Sequence, residues 1–363
     1  MAKINFYISI FEDMINYKRF IFVVVGVLLV LLTVYVGVFE FSVHKGNKYA
    51  SWVKNMYQYK DYVADRIEGK KIILASGSNS LFGINSLAIE KTTGLKVANL
   101  AVHANLGLNF LYYKIEQHIN DNDIVILPLE FDYYYRQNES GEFYSHIMQW
   151  GYYDYLLKLS LFDYLVFITN VQKRSILAMA INKVSYDVFG KINASSVGLS
   201  DGDVLDDMKK IFKSGEGHIW KGYSHKSLNL YGDINIDVSG PTVDVMKLHS
   251  NGIPYLENLE ISKSFVSGYH KIKRMVDKKQ GKLILTWPVT IKNKMLDMSK
   301  TNHRLKVEKF TNKLSNKYIE IFCELSDFNL DVKYFHDTYY HLNKRGAILR
   351  SSNLAKCING IVY

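Results

Sequence analysis

Two segments far apart in the chain carry residue types that together can activate a serine. The first is Ser78, in the turn that follows the apolar run KIILA. The second contains Asp337, which lies four residues before His341. A carboxylate that accepts a hydrogen bond from imidazole Nδ1 leaves Nε2 able to take the proton of a serine hydroxyl. The three residues therefore form a candidate nucleophile, base and orienting group.

Each segment taken alone also has a structural explanation. A serine at the start of a helix commonly serves as its N-cap, and His341 with Asn343 can act as a capping pair for the helix that follows. The segments are 263 residues apart. Only the two segments together supply a nucleophile, a base and an orienting group. Their joint presence therefore favours a catalytic role more strongly than either segment does alone.

Two further loops contain polar residues that can contact a substrate. His103 and Asn105 lie in NLAVHAN and can donate hydrogen bonds, although Asn105 can equally cap the next helix. Glu130 follows the run DIVILPL and can bind a hydroxyl group or form a structural salt bridge. Neither loop decides between these interpretations.

These loops need a scaffold in which strands alternate with helices. Short apolar runs predict strands over residues 71–75, 95–102, 123–129, 283–287 and 330–335. Apolar residues at helical spacing predict helices over 84–92, 108–119, 265–276 and 305–318, with a last one after Gly346. The alternation predicts an α/β fold with a parallel sheet and helices on both faces. In such folds ligands bind beyond the carboxyl ends of the strands, where the candidate loops lie.

The N-terminal region contains a run of twenty uncharged residues, Phe20 to Phe39. At about 1.5 Å per residue it spans roughly the 30 Å hydrocarbon core of a bilayer. Acidic residues before it and the lack of a small-residue cleavage site argue against a signal peptide. We expect a short N-terminal segment over 1–19, an anchor over 20–39, a stalk over 40–69 and one domain over 70–363, with an insertion at about 135–250. Basic residues on both sides of the apolar run leave its orientation open.

Composition excludes several other classes of protein. The 45 Lys and Arg residues outnumber the 35 Asp and Glu residues, but they do not cluster as a nucleic-acid interface requires. They fit a solvated surface, with anionic lipid or an acidic polymer as alternatives. Cys323 and Cys357 are compatible with one disulfide in an oxidising compartment. His103, His336 and His341 lack the spacing of metal ligands, so we expect neither metal nor cofactor.

The segment ILASGSNSLFGIN resembles the nucleophile block of the SGNH/GDSL hydrolase superfamily, and DTYYHLNKRGA resembles its last block. The resemblance implies a flavodoxin-like sheet, with Ser78 as nucleophile and Asp337 and His341 as its partners. It also implies that the backbone N–H near Ala104, in NLAVHAN, helps to form an oxyanion hole.

The chain departs from the superfamily pattern at three places. Ser76–Gly77 precedes the serine in place of Gly-Asp, and Ala104 replaces a glycine. Pro-Leu-Glu130 stands where the family has Gly-x-Asn-Asp. The asparagine that normally donates to the oxyanion is therefore unassigned, with Asn79 and Asn105 as candidates.

An N-terminal anchor followed by such a domain resembles the surface-polymer acyltransferases that acetylate alginate or transfer D-alanine to teichoic acids. That resemblance implies a bacterial cytoplasmic membrane with the domain on its outer, periplasmic face, and a multi-span membrane acyltransferase that delivers the acyl group. We expect O-acyl, specifically O-acetyl, transfer to a surface polysaccharide. A membrane-anchored esterase and a non-catalytic polymer-binding subunit of an export complex are the alternatives.

Overall fold

The chain divides into two compact units in the computed structural model. The anchor unit comprises Met1–Asn47 and Tyr144–Ser196, and the sheet unit comprises Lys48–Phe143 and Val197–Tyr363. The structure describes residues 2–43, 52–139, 141–189, 201–215, 217–219, 222–238, 240–242, 244 and 256–362.

The sheet unit is built on five parallel strands. Its strands in chain order are β1 (Lys71–Leu74), β2 (Lys96–Asn99), β3 (Ile124–Pro128), β4 (Lys282–Thr286), β5 (Thr290–Ile291), β6 (Ile321–Phe322) and β7 (Asn329–Leu330). The main sheet has the order β2-β1-β3-β4-β6, and β5 pairs with β7 in a separate two-stranded sheet. Strands β1 and β3 are buried along their whole length, as expected for a sheet covered on both faces. The α/β class with a parallel sheet is confirmed.

Helices connect these strands at the predicted places. Those of the sheet unit are Trp52–Ala64, Ser78–Gly83, Ser86–Thr93, Leu108–His118, Asp132–Tyr135, Asp201–Ser214, Lys263–Lys278, Thr301–Ser315 and Lys344–Val362, with 3₁₀ turns at His225–Ser227, Leu256–Asn258, Leu325–Phe328 and Val332–Tyr334. Lys263–Lys278 illustrates why they form. Ser262 caps it by accepting the Phe265 N–H, and its buried residues, Phe265, Tyr269, Ile272 and Val276, repeat at helical spacing.

The strand predicted over residues 330–335 is wrong. Only Asn329–Leu330 is extended there, and Val332–Tyr334 forms a 3₁₀ turn. The fifth strand of the main sheet is instead Ile321–Phe322. Leu330 and Phe335 are buried in a separate apolar cluster with Val289, Ile291, Leu342 and Ala347, so their burial does not require a place in the main sheet.

The segment expected to be a stalk, residues 40–69, contains a helix. Trp52–Ala64 belongs to the sheet unit, and its buried face includes Val53, Met56, Tyr57 and Val63. Residues 44–51 lie outside the described part of the chain. A helix with a buried apolar face packs against the rest of its unit.

The anchor unit begins with the helix Ala2–Val43, of which Asn16–Val43 is long and apolar enough to cross a membrane. The expected insertion at 135–250 contributes helices to both units, and residues 190–200 and 245–250 of it lie outside the described part. The helices near its start are Gly141–Trp150, Tyr153–Leu156, Leu161–Asn170 and Lys173–Phe189.

A disulfide joins Cys323, directly after β6, to Cys357 in the last helix, with the two Cα atoms 5.7 Å apart. The sequence left this pairing open. Closing a loop of 34 residues restricts the unfolded chain, an effect of about 3–4 kcal/mol in the chain-entropy model. The bond ties the last helix to the edge of the main sheet.

Candidate functional site

The structure brings Ser78, His341 and Asp337 into one hydrogen-bonded array. Ser78 is the first residue of the helix Ser78–Gly83, reached from the end of β1 through three residues. Its Oγ lies 3.0 Å from His341 Nε2, and His341 Nδ1 lies 2.8 Å from Asp337 Oδ1. We call these three residues the Ser–His–Asp array. The distances are those at which an imidazole can take a hydroxyl proton while a carboxylate fixes its orientation.

The surroundings of the array keep the imidazole in place. His341 is buried, and its ring stacks on Phe82 with the centroids 4.2 Å apart. Partial burial acts to raise the pKa of the Asp337 carboxyl, but its hydrogen bond to His341 and the charge of that ring outweigh burial and lower the pKa. Asp337 is therefore ionised at neutral pH, as its orienting role requires. Ser78 is only half-buried, so a substrate can reach it.

The loop that carries His341 is held by short-range contacts. The Thr338 hydroxyl accepts the His341 N–H at 3.1 Å, and the His336 N–H donates to the His341 carbonyl at 2.9 Å. Asn343 donates its side-chain amide to the carbonyls of Lys333 and Phe335 and accepts the Gly346 N–H. Asn343 is therefore the residue that caps the last helix, whereas His341 is turned toward Ser78.

Glu130 holds the turn that carries Ser78 through hydrogen bonds to its backbone. Its carboxylate accepts the Gly77 N–H at 3.3 Å and the Asn79 N–H at 3.2 Å, on either side of Ser78. Burial raises the pKa of the Glu130 carboxyl, and these hydrogen bonds offset part of that effect. Both carboxylate oxygens therefore serve the turn, and the side chain is buried.

Asn79 is turned into the protein rather than toward the serine hydroxyl. Its side-chain amide donates to the Pro128 carbonyl at 3.0 Å, and Arg350 donates to both its backbone and side-chain oxygens, each at 2.7 Å. Asn79 is completely buried, and its side-chain amide is used for contacts inside the protein. Burial lowers the pKa of Arg350 to about 9, against the opposing charge of Glu130, so the guanidinium stays charged at neutral pH.

Two backbone amides near the serine are free to bind an oxyanion. Among the hydrogen bonds of the described residues, none uses the Ser78 or the Ala104 N–H. A Cβ atom added at Gly77 would lie 2.7 Å from the Ala104 Cα, so the two loops touch. Ala104 is therefore next to the nucleophile turn, and paired backbone amides are the usual donors of an oxyanion hole.

The other two predicted residues of this loop contact each other. His103 Nδ1 accepts the Asn105 N–H at 3.1 Å, and the Asn105 side chain donates to Glu142 at 3.3 Å. Both residues are half-buried at the carboxyl edge of the sheet. Neither is hydrogen-bonded to Ser78 or His341 in the described contacts.

Aromatic side chains extend from the array to the surface. Tyr223 lies edge-on to Phe82 with the centroids 5.8 Å apart, and its ring is 4.7 Å from that of Trp52. Trp52 in turn lies 5.9 Å from His103. Burial raises the pKa of Tyr223, and the nearby charge of Asp337 adds to it. We call Trp52, Tyr223 and Phe82 the aromatic wall; Tyr223 is 42% exposed.

Sequence reasoning missed Arg350, Trp52 and Tyr223. Arg350 occurs in the middle of an ordinary helical pattern, and no local signal indicates that it is buried. The glycine at position 83 leaves room for this side chain, because a Cβ there would lie 2.3 Å from Arg350 Nη1, but only the structure shows that contact. Trp52 was assigned to a stalk, and Tyr223 to a tyrosine-rich insertion without any specific position.

Comparisons with known proteins leave the family open. No protein-family model matches the chain, and no curated protein matches it either. Within the described residues, no group of three His, Cys, Asp or Glu side chains is placed to hold a metal ion. The assignment of a reaction therefore depends on the chemistry of the Ser–His–Asp array.

Proposed function

We propose that the chain is a membrane-anchored O-acyltransferase that modifies a surface or exported polysaccharide through an acyl-Ser78 intermediate. The observation that carries the proposal is the Ser–His–Asp array, with 3.0 Å between Ser78 Oγ and His341 Nε2. A membership in the SGNH/GDSL superfamily, on the residue pattern described above, fits the same geometry and remains part of the proposal.

In the first step Ser78 Oγ attacks the carbonyl carbon of the acyl donor while His341 Nε2 takes the hydroxyl proton. The oxyanion that forms accepts hydrogen bonds from the Ser78 and Ala104 amides. When the tetrahedral intermediate collapses, the bond to the leaving group breaks and His341 returns the proton to it. Asp337 stays ionised and stabilises the imidazolium throughout.

In the second step a sugar hydroxyl attacks the acyl-serine. His341 takes the proton of that hydroxyl, the new ester bond forms, and the proton then passes to Ser78 Oγ as it leaves. Transfer rather than hydrolysis requires that the sugar outcompete water at this step. The aromatic wall supports an acceptor of this class, because flat apolar ring faces suit the C–H faces of a pyranose.

Two features support a proposed location for the domain. The apolar helix Asn16–Val43 favours attachment to a membrane. The Cys323–Cys357 disulfide favours an oxidising compartment, since cytosolic disulfides are rare in mesophiles. We therefore propose the periplasmic or outer face of a bacterial cytoplasmic membrane, where a multi-span acyltransferase can supply the acyl group.

The test is intact-mass spectrometry of the full-length protein after incubation with 4-nitrophenyl acetate. A mass gain of about 42 Da, expected for one acetyl group, should appear in the native chain and be absent in Ser78→Ala. Ser80→Ala is the matched control, because Ser80 is in the same helix but is completely buried, and it should still acetylate.

The fate of the acetyl group separates the proposed reaction from its alternatives. Discharge onto an added oligosaccharide faster than onto water supports the acyltransferase. Rapid release of free acetate without transfer identifies an esterase that uses the same array. If the native chain and Ser80→Ala neither acetylate nor release acetate, Ser78 is not a competent nucleophile and a polymer-binding role replaces the enzyme.

A further inference from the structure

The helix Leu161–Asn170 in the anchor unit carries both buried and exposed apolar side chains. Phe167 and Ile168 are buried. Leu161, Phe162 and Leu165 are 76%, 73% and 44% exposed. A cluster of exposed large apolar side chains marks a surface that a partner or a membrane covers. Since these three side chains are not covered by the described residues, packing within the described part of the chain does not explain them.

The same helix is packed directly on the end of the membrane-spanning run. The Tyr35 hydroxyl donates to the Ile168 carbonyl at 2.7 Å. The Phe39 ring meets the rings of Tyr164 and Phe167, each with a centroid distance of 6.2 Å. Tyr35 lies about 6 Å inside Phe39 along the helix axis, at 1.5 Å per residue. Leu161–Asn170 therefore lies at the depth where the apolar run ends.

Charged residues occupy both flanks of this helix. Lys158 precedes it, and Lys173 and Arg174 follow it; all three side chains are exposed. Ser160 caps the helix by accepting the Asp163 N–H at 3.1 Å. The acidic Asp163 lies in the first turn, where a negative charge interacts favourably with the helix dipole. Basic side chains with long apolar stems can reach lipid headgroups from a helix that lies at the membrane surface.

The next helix, Lys173–Phe189, continues the pattern. Its backbone is held to the span, since the Ser42 hydroxyl is 3.3 Å from the Ile176 carbonyl. Leu177 and Ile181, four residues apart on one face, are 60% and 54% exposed. We call the large apolar residues that are exposed on the two helices the apolar collar: Leu161, Phe162, Leu165, Leu177 and Ile181.

We propose that the apolar collar is embedded in the membrane that the N-terminal helix spans, in contact with lipid acyl chains. Lipid is the occupant because the collar is continuous with a span that lipid already surrounds, and because basic residues flank it where headgroups begin. The protein would then be held by a span and a surface helix together, as in interfacial membrane proteins. This inference does not depend on the proposed enzymatic activity.

The experiment uses site-directed spin labels on the full-length protein in phosphatidylcholine nanodiscs. The chain has two cysteines and both are in the disulfide, so one introduced thiol is labelled uniquely. The variants are Phe162→Cys and Leu165→Cys in the collar, Leu31→Cys in the span as the lipid reference, and Lys278→Cys, at an exposed position of the sheet unit, as the aqueous reference. Collision rates with oxygen, which partitions into lipid, and with a water-soluble nickel chelate are measured for each.

We expect the oxygen-to-nickel ratio at positions 162 and 165 to approach that at position 31 and to exceed that at position 278 several-fold, because oxygen partitions into lipid and the nickel chelate does not. Ratios equal to the aqueous reference would overturn the proposal by showing that the collar faces water. Low collision rates with both reagents would overturn it too, since they would mean that a second copy or another protein covers the collar. Exposed positions were chosen so that the labels do not disturb the packed side of the helix.

Discussion

The turn that carries Ser78 and the loop that carries His341 are stabilised in different ways. Around Ser78 the contacts are made by buried ionisable and amide groups, chiefly Glu130, Asn79 and Arg350. Around His341 they are made by the neutral side chains of Thr338 and Asn343 and by an apolar cluster. The nucleophile is thus held by charge, and the base is held by local hydrogen bonds and packing.

This difference predicts which property, stability or activity, a substitution on each side of the site should change. A buried charge that loses its partner costs several kcal/mol, because desolvation is no longer compensated. Removal of the partly exposed Asp337 carboxylate should cost less, because solvent screens its interaction with His341. Changes on the Ser78 side should therefore affect stability and activity together, whereas changes to Asp337 should affect mainly activity.

The largest effect is expected from Asp337→Asn. The amide cannot hold the imidazole in the required tautomer, so the rate of Ser78 acylation should fall by about 10⁴-fold, as for other serine nucleophiles of this type. The unfolding temperature should stay close to that of the native chain. Burst kinetics with 4-nitrophenyl acetate and a thermal melt measure the two quantities.

Asp331→Asn is the control, since that aspartate lies near the same loop but its 4.0 Å contact with Lys333 is exposed. An Asp337→Asn variant that acylates at the native rate would show that Asp337 does not orient His341. A large loss in Asp331→Asn would show that the loop responds to any change of charge.

Arg350→Met should affect both properties. Two oxygens of Asn79 lose their donor, and the charge that opposes the buried Glu130 carboxylate disappears. We expect a loss of about 3 kcal/mol in the free energy of unfolding together with slower acylation. Lys356→Met, at an exposed position of the same helix, should change neither, and denaturant titration compares the two. Equal stability of these variants would contradict the role of charge under the nucleophile.

Gly83→Ala tests the contact between Arg350 and Asn79 by adding an atom beside the guanidinium. The added Cβ would lie 2.3 Å from Arg350 Nη1, whose position is fixed by the Asn79 carbonyl. Overpacking of this kind should cost about 1–3 kcal/mol in unfolding free energy. Gly360→Ala is the matched control, because open space surrounds that helical glycine and alanine should stabilise the helix slightly. Destabilisation of equal size in both variants would argue against a specific clash with Arg350.

The smallest effect concerns pH and Lys60. Burial lowers the pKa of Lys60 to about 7, against the charges of Asp233 and Asp61. Its amine donates to the carbonyls of Asn99 and Gly232, and Asn99 in turn donates to the Ser80 carbonyl in the nucleophile helix. A neutral amine still has the two N–H groups that these bonds need.

Between pH 7.5 and 9.5 the folded protein would hold Lys60 neutral while the unfolded chain keeps it protonated. The unfolded state then binds more protons, so raising the pH should increase the free energy of unfolding by up to about 1.4 kcal/mol per pH unit. Lys60→Met should flatten this slope and Lys54→Met, on the same helix, should preserve it. Chemical denaturation across this range measures the slope, and an unchanged slope in Lys60→Met would contradict the assignment.

The comparison also explains what could be predicted from the sequence. The strand ends at Leu74 and Pro128 and the last helix follow from local patterns, and so does the proximity of Ser78 and His341 at one edge of the sheet. The supporting groups depend on contacts between residues far apart in the chain. Nothing near Arg350 indicates that it reaches Asn79, 271 residues earlier.

The same reasoning applies to two site residues whose roles the sequence left open. Glu130 was expected either to bind a hydroxyl group or to form a structural salt bridge, and Asn79 was one of two candidates for the oxyanion donor. Here they are buried because Arg350 and the amides around Ser78 satisfy them. The strand prediction over residues 330–335 was wrong for a related reason. Its alternating apolar residues are buried in a small apolar cluster, and the sequence pattern does not distinguish that burial from burial in the main sheet.

The position of Arg350 and His341 late in the chain has a consequence for biosynthesis. Ser78 is synthesised 263 residues before its base, and Asn79 is synthesised 271 residues before its cation. Until those residues have been synthesised, a nascent chain carries the Ser78 hydroxyl without its base, in a turn that lacks the Arg350 contacts to Asn79. The hydroxyl can therefore be activated only after residues 337–341 have folded against the Ser78 turn.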